Sequence, residues 1–256
     1  MTEPNWTSRS GAVDVAVTDD VAVVTIDRPQ KLNALTTEMR RDVAAAVRRF
    51  GDGRRARGIV LTGAGRAFCA GEDLAEVVDR TAVDAAIELF HDITRAVLST
   101  RVPTVAALNG LAVGGGAEIT FCFDARIGSP EAELFLPENG LGLTISNASS
   151  ILLPRLLRAG DAMRLVLDAR RVDARAAVAI GLLDEIVEEG AVVDAAIALV
   201  RRWTEPGSAT AAHLELLRPS LEEVEAAFRR ETDAGRALWR SGAMEAGVRR
   251  FWASRS

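Results

Sequence analysis

The sequence predicts an α/β protein, a β/α core followed by a segment of helices alone. Three observations carry that reading. Short β-branched runs alternate with amphipathic stretches up to about residue 190. Several of those runs are apolar throughout and bounded by glycine, as strands covered on both faces are. Beyond about residue 191 only helical periodicity remains, which places a core over 1–195 and a helical segment over 196–256. A chain of 256 residues can bury a full core without a disulfide or metal staple.

Residues 1–11 are polar and read as a frayed end. Residues 13–17 alternate, Asp19-Asp20 turns the chain and Val21–Ile26 is β-branched, a hairpin signal. Thr36 or Thr37 caps a helix to about Phe50, with Met39, Val43, Ala46, Val47 and Phe50 at helical spacing. Gly51-Asp52-Gly53 stops it. Residues 58–62 form a short apolar strand, and 81–98 an amphipathic helix. Residues 103–108 (PTVAAL) are a second buried strand. It leads through Asn109-Gly110 and 111–113 into Gly114-Gly115-Gly116, then an apolar helix over 117–123. Ala125–Gly128 and 134–136 read as strands. Helical patterns follow at 147–158, 160–168 and 174–181, with a turn and strand at 181–187. Helices then fill 191–203, 208–217 and 220–240. The residues alone show no internal repeat and no low-complexity tract.

Side chains that titrate near neutrality are scarce. There are two His (His91, His213), no Tyr, two Cys (Cys69, Cys122) and a single Lys, Lys31. Arg stays protonated and cannot act as a base. With two His a multi-His metal site is nearly impossible. Acid–base chemistry would fall to some of the 36 carboxylates. A net charge of −5 argues against a nucleic-acid partner. The two Cys are widely spaced and read as small buried hydrophobes. The N-terminal MTEPNWTSRSG has no apolar run, so no signal peptide is expected. No stretch approaches the ~20 apolar residues of a membrane span. The expected location is the cytoplasm.

Familiar glycine motifs fail. Gly63-Ala64-Gly65-Arg66-Ala67-Phe68 puts Phe where the third Gly of a dinucleotide fingerprint belongs. Gly114–116 is not followed by Lys-Ser/Thr, so it is no phosphate loop. No H-E-x-x-H, C-x-x-C or G-x-S-x-G occurs. His91 and His213 lie in helical stretches and read as structural or surface residues.

Two glycine turns that follow buried strands remain, at 68–74 (FCAGEDL) and 109–116. A glycine-rich helix start leaves backbone N–H groups unpaired and aimed outward. Two such donors converging on one oxygen make an oxyanion hole; the alternative is turns that only pack tightly. Glu118, in the first helical turn after Gly115, is a carboxylate in an apolar stretch. Burial would raise its pKa and suit it to proton transfer, unless it merely complements the helix dipole. Glu138 follows an apolar strand and Pro137, as a site carboxylate or an ordinary loop Glu.

These stretches together resemble the enoyl-CoA hydratase/isomerase (crotonase) superfamily. The resemblance rests on Asp27-Arg28-Pro29 with Leu32-Asn33-Ala34-Leu35, on 61–74 (LTGAGRAFCAGEDL) and on 103–118 (PTVAALNGLAVGGGAE). It extends through Pro137-Glu138 with Leu141-Gly142-Leu143, Leu153-Pro154-Arg155-Leu156 and 171–187. It implies a crotonase-like spiral of ββα units with a C-terminal helical trimerisation segment, and a homotrimer or dimer of trimers. It implies an acyl-CoA thioester as substrate, with no metal or redox cofactor. The backbone N–H groups of Glu72 and Gly115 match the family's oxyanion hole. Glu118 and Glu138 match the two catalytic Glu of the hydratases, at the hydratases' own separation. Isomerases typically rely on the Glu138 position alone. Arg28, Lys31, Ala70 and Asp73 fall where relatives bind CoA, and Arg249 and Arg250 where a C-terminal helix reaches a neighbour's CoA.

Two departures stand out. Glu72 occupies a place usually small or apolar, and its charge would point away or reshape the acyl pocket. Residues 144–152 (TISNASSIL) replace a Gly/Pro-rich I-P-G-x-G-G-T-Q-R, and their polarity is expected to alter the pocket around Glu138. The expected activity is hydration of a 2-enoyl-CoA, as in fatty acid metabolism. The alternatives are a Δ3–Δ2 enoyl-CoA isomerase or other crotonase-type enzyme, and a non-catalytic acyl-CoA-binding paralogue.

Overall fold

The computed structural model describes residues 6, 8–73, 75–76 and 80–253. Most of residues 1–7 and Leu74 of the 61–74 motif lie outside them. The chain opens as the expected hairpin. Strand β1 (Val13–Thr18) pairs antiparallel with β2 (Val21–Ile26), and both turn residues take positive φ, 51° at Asp19 and 64° at Asp20. Two such residues give the turn whose twist matches paired strands, and Asp tolerates that conformation better than most. Helix α1 (Thr37–Phe50) begins at Thr36, whose hydroxyl accepts from the Met39 N–H at 3.3 Å.

A unit of strand, strand and helix then recurs. The first is β3 (Gly58–Gly63), β4 (Ala67–Cys69) and α2 (Arg80–Leu98). The second is β5 (Thr104–Leu108), β6 (Leu111–Val113) and α3 (Gly115–Glu118). The third is β7 (Ala125–Gly128), β8 (Glu133–Phe135) and α4 (Glu138–Leu141). The first strands extend one sheet in parallel from β2, β3 then β5 then β7, and the second strands pair in parallel in another, so the chain winds between two sheets. This repeat was invisible in the residues alone. The second strands span only three residues each, too short to show a period of two.

The apolar stretch over 117–123 is not one α-helix. Helix α3 ends at Glu118 and a 3-10 turn, Ile119–Cys122, carries the chain on. Its residues are buried on every side, and that packing decides the tighter turn where amphipathic phase gives no direction.

The remaining core elements are α5 (Ser149–Leu156), α6 (Ala159–Leu167), β9 (Val172–Asp173), α7 (Ala174–Ile180) and β10 (Glu185–Ile186). The helical run follows as α8 (Val192–Trp203), α9 (Thr210–Leu217), α10 (Leu221–Arg240) and α11 (Ala243–Ala253). Residues 195 and 196 fall inside α8, which lays Val192, Ala196, Ile197 and Val200 on the outer face of the first sheet. Helices α1, α2, α5 and α10 contribute to the core cluster on its other side. Burial on both faces explains why the strands read as apolar throughout. Beyond α8 the helices leave the sheet; α10 packs on α2 and α5, and α11 on α4. The sequence reading stops at residue 240 because Gly242 and Gly247 interrupt the helical signal of α11.

One buried polar residue ties the hairpin to the units. Asn33 is wholly buried. It donates to the Ala64 and Ala67 carbonyls at 2.9 and 2.6 Å and accepts from the Arg28 N–H at 2.9 Å. Asn33→Ala is expected to cost about 3 kcal/mol in urea unfolding, since three buried partners lose their bonds. A loss under about 1 kcal/mol would mean those groups find other partners.

Candidate active site

Glu118 is 2% exposed and ends the short helix after the triple glycine. Three donors converge on its carboxylate. The Ser146 N–H reaches Oε1 at 2.7 Å, the Ser146 hydroxyl reaches Oε2 at 2.7 Å, and Asn147 Nδ2 reaches Oε2 at 3.1 Å. Burial pushes its pKa up to about 7 despite these bonds, and the negative charge of Glu231 adds to the rise. The 144–152 loop therefore acts on Glu118. From sequence its polarity is expected to alter the pocket around Glu138; the bonds it makes are to Glu118. The loop turns inward after α4 and presents its backbone and side-chain donors to α3.

Glu138 opens α4 and is 9% exposed. Its Oε2 is buried with no partner among the described residues. Burial raises its pKa well above the usual carboxylate range, and the charge of Glu118 raises it further. Among the described residues no three His, Cys, Asp or Glu side chains are grouped as metal ligands would be.

Gly114 joins the two carboxylates. Its carbonyl accepts from the Glu118 N–H at 2.9 Å, and its N–H donates to the Phe135 carbonyl at 2.8 Å. Its φ of +52° with ψ −127° is a region essentially reserved for glycine. A Cβ there would lie 2.8 Å from Glu138 Oε1.

The two glycine turns stand side by side. A Cβ on Gly71 would fall 2.8 Å from the Val113 carbonyl oxygen and 3.6 Å from the Gly115 nitrogen. The N–H groups of Glu72 and Gly115 donate to no backbone carbonyl among the described residues. The Glu72 side chain meets Arg40, whose Nη1 lies 2.9 Å from its Oε1. Arg40 is 1% exposed and sits 4.9 Å over the Phe90 ring, which packs against Gly115. The charge of Glu72 is thereby matched by a buried cation.

Arg28, Lys31, Ala70 and Asp73 are brought together. Arg28 Nη1 is 2.6 Å from Asp73 Oδ2 and 3.1 Å from the Ala34 carbonyl. The Ala75 N–H, then Arg28 and Lys31, hold Asp73 below the usual carboxylate range. The Ala70 N–H donates to the Leu32 carbonyl at 2.9 Å. Arg249 and Arg250 are exposed on α11. Cys69 and Cys122 are buried and unbridged, each thiol pushed up to about 12 by burial. His91 is buried and stacks on Phe228 with centroids 3.9 Å apart; His213 is exposed.

The winding ββα architecture is that of the crotonase superfamily. Two solved structures share it over nearly the whole chain. An enoyl-CoA hydratase from Mycobacterium avium subsp. paratuberculosis K-10 has TM-score 0.81 and 28% identity, over 95% of this chain and 96% of that one. An enoyl-CoA hydratase/isomerase from Pseudoalteromonas atlantica T6c has TM-score 0.85 and 27% identity, over 96% and 98%. Within that superfamily the chain belongs to the enoyl-CoA hydratase/isomerase family, whose sequence pattern matches residues 17–252. A probable enoyl-CoA hydratase of Mycobacterium tuberculosis is 35% identical over 167 residues, 65% of this chain and 65% of that protein. The aligned stretch thus spans just under two thirds of that relative. The short-chain-enoyl-CoA hydratase of Clostridium acetobutylicum is 34% identical over 179 residues, 69% of each chain.

Proposed function

We propose that this chain adds water across the C2–C3 double bond of a 2-enoyl-CoA, with Glu118 as base and Glu138 as acid. The observation that carries the assignment is the unequal surroundings of the two carboxylates. Glu118 accepts from three donors, which favour its charged form. Glu138 Oε2 has no partner among the described residues and the charge of Glu118 opposes its ionisation, so Glu138 keeps its proton. A carboxylate has about four acceptor sites, so Glu118 retains one for water.

In this reading the water oxygen bonds to C3 while its proton passes to Glu118. The electron pair of the double bond moves toward the thioester, giving an enolate. The N–H groups of Glu72 and Gly115 hold the enolate oxygen, each donor contributing about 10²–10³ in rate. C2 then takes the proton of Glu138. The Arg28, Lys31, Ala70 and Asp73 cluster supplies the CoA-binding side, and CoA enters as part of the substrate.

One observation favours a second reading. Three of the acceptor sites on Glu118 are filled by protein, as suits a group that only shapes the field around Glu138. Glu138 alone would then shuttle a proton, giving Δ3–Δ2 isomerisation. A panel of enoyl-CoA esters followed by mass spectrometry separates the two. Hydration adds the mass of one water; isomerisation leaves mass unchanged but exchanges a C2 proton with solvent. A panel bound but never turned over would support a non-catalytic acyl-CoA-binding protein instead.

For the hydratase, kcat/KM is expected to rise with pH through about 7 as Glu118 ionises. It should fall again at higher pH, where Glu138 loses its proton. The limbs belong to the coupled pair. A profile flat between about pH 5 and 8 would remove Glu118 from the base role.

A further inference from the structure

We infer that Glu231, on the C-terminal α10, is a positioning residue that clamps the 146–150 loop in the shape that aims Ser146 and Asn147 at Glu118. The inference rests on the base role proposed for Glu118.

Asn147 and Ala148 both have φ of +59°. Two consecutive non-glycine residues in that region are strained and persist only where their surroundings hold them. The segment is wholly buried at Asn147, Ala148 and Ser149. Ala148 is the N-cap of helix α5 and offers no side-chain acceptor for the free N–H groups there. Glu231 supplies both acceptors from another helix. The Ala148 N–H reaches its Oε2 at 2.9 Å and the Ser150 N–H its Oε1 at 2.8 Å.

Helix α10 is itself fixed to α2. Arg95 pairs with Glu225, and His91 stacks on Phe228, which lies three residues before Glu231 on the same helical face. A continuous path of contacts therefore runs from α2 through α10 and the strained loop to Glu118. The charges acting on this region are Arg230 on the same helix and Glu118 on α3.

The test compares the full chain with Glu231→Gln and with Glu231→Gln/Ala148→Gly. Glutamine keeps one acceptor but turns an amide N–H₂ toward the other backbone N–H, while glycine relieves the strain at 148. Two readouts are taken: kcat and KM on the best enoyl-CoA, and the titration midpoint of Glu118 by ¹³C NMR of carboxyl-labelled Glu, with Glu118→Gln to identify its signal. Glu231→Gln is expected to lower kcat at least about tenfold with KM within about threefold. The Glu118 midpoint should move up, because a slackened loop withdraws its donors. The double variant should bring kcat back to within about threefold of the parent and the midpoint back down to the parent's or below it, since the loop is restored while the Glu231 charge stays absent. Losing the Glu231 charge alone would move the midpoint down, so a lowered or unchanged midpoint in Glu231→Gln overturns the inference. So does a folded double variant that stays impaired; that variant decides the matter if Glu231→Gln does not fold. The titration needs no substrate. An absence of hydration in the parent chain therefore counts against the proposed function while the midpoint still judges Glu231.

Discussion

Replacing Glu138 by Gln is expected to lower kcat by about 10²–10⁴-fold, the usual worth of a positioned acid, and to raise the melting temperature. The two effects share one cause. Glu138 is buried, its Oε2 has no partner among the described residues, and the charge of Glu118 acts on it. Its pKa in the folded protein is therefore above the unfolded value. The folded state binds the extra proton, so stability is highest below the unfolded pKa and declines as pH rises from there to the folded pKa. A neutral amide removes that penalty, and the gain in melting temperature should be larger at pH 8 than at pH 6. Glu118→Gln should also lose activity, but it should lower the melting temperature, because three donors placed for an anion would lose it. Initial rates from enoyl-thioester absorbance and thermal scans at the two pH values check both variants. A Glu138→Gln enzyme within about tenfold of parental kcat sinks the acid role.

The parts of the fold legible in the sequence were those specified locally. Paired Asp residues made the first turn, Thr36 capped α1, and glycine-bounded β-branched runs became the parallel strands. Of the second strands only β8 is legible, read at 134–136; β4 and β6 are not, because three residues carry no measurable alternation and parallel pairing is with segments tens of residues away. Helix α11 escaped because Gly247 weakens its helical signal. That glycine is there for contact, as a Cβ on it would lie 2.3 Å from the Leu141 backbone, just beyond Glu138.

In the site, Glu118 and Glu138 were legible because each is a lone carboxylate set in apolar sequence. Glu231 and Arg40 were not, since both sit among other charges on amphipathic helices. Helical phase held the missing signal. Glu231 continues the stripe Val224, Ala227, Phe228, and Arg40 begins the stripe Ala44, Val47, all of them buried. A charge in phase with apolar residues on a helix marks a group the core must satisfy. Glu231 meets that demand through backbone N–H groups, and Arg40 through Glu72 and Phe90. The polarity of the 144–152 loop is plain in the sequence; its contact with Glu118 is not, because the strained backbone at Asn147 and Ala148 turns it toward α3.

Gly114→Ala is expected to abolish most activity while damaging stability, the opposite pairing to Glu138→Gln. Alanine must either adopt a backbone conformation that costs about 1–3 kcal/mol or shift the turn. The turn has little freedom to shift. Its carbonyl accepts from the Ala117 and Glu118 N–H groups, and its N–H is bonded to β8. The added methyl would stand 2.8 Å from Glu138 Oε1, so that side chain must move even if the backbone holds. A displacement near 1 Å at a reacting group can cost about 10²-fold in rate. The expected result is a kcat loss of at least that size with a drop in unfolding free energy of about 1–3 kcal/mol. Gly140→Ala is the control two residues from Glu138, inside α4, where a Cβ meets nothing within 4 Å; it should leave kcat unchanged and raise the unfolding free energy by about 0.4–1 kcal/mol. If Gly114→Ala kept activity while losing stability, the two carboxylates would not depend on this turn for their placement. Loss of activity in both Glu138→Gln and Gly114→Ala, with opposite changes in stability, would separate the need for the carboxyl proton from the need for its position.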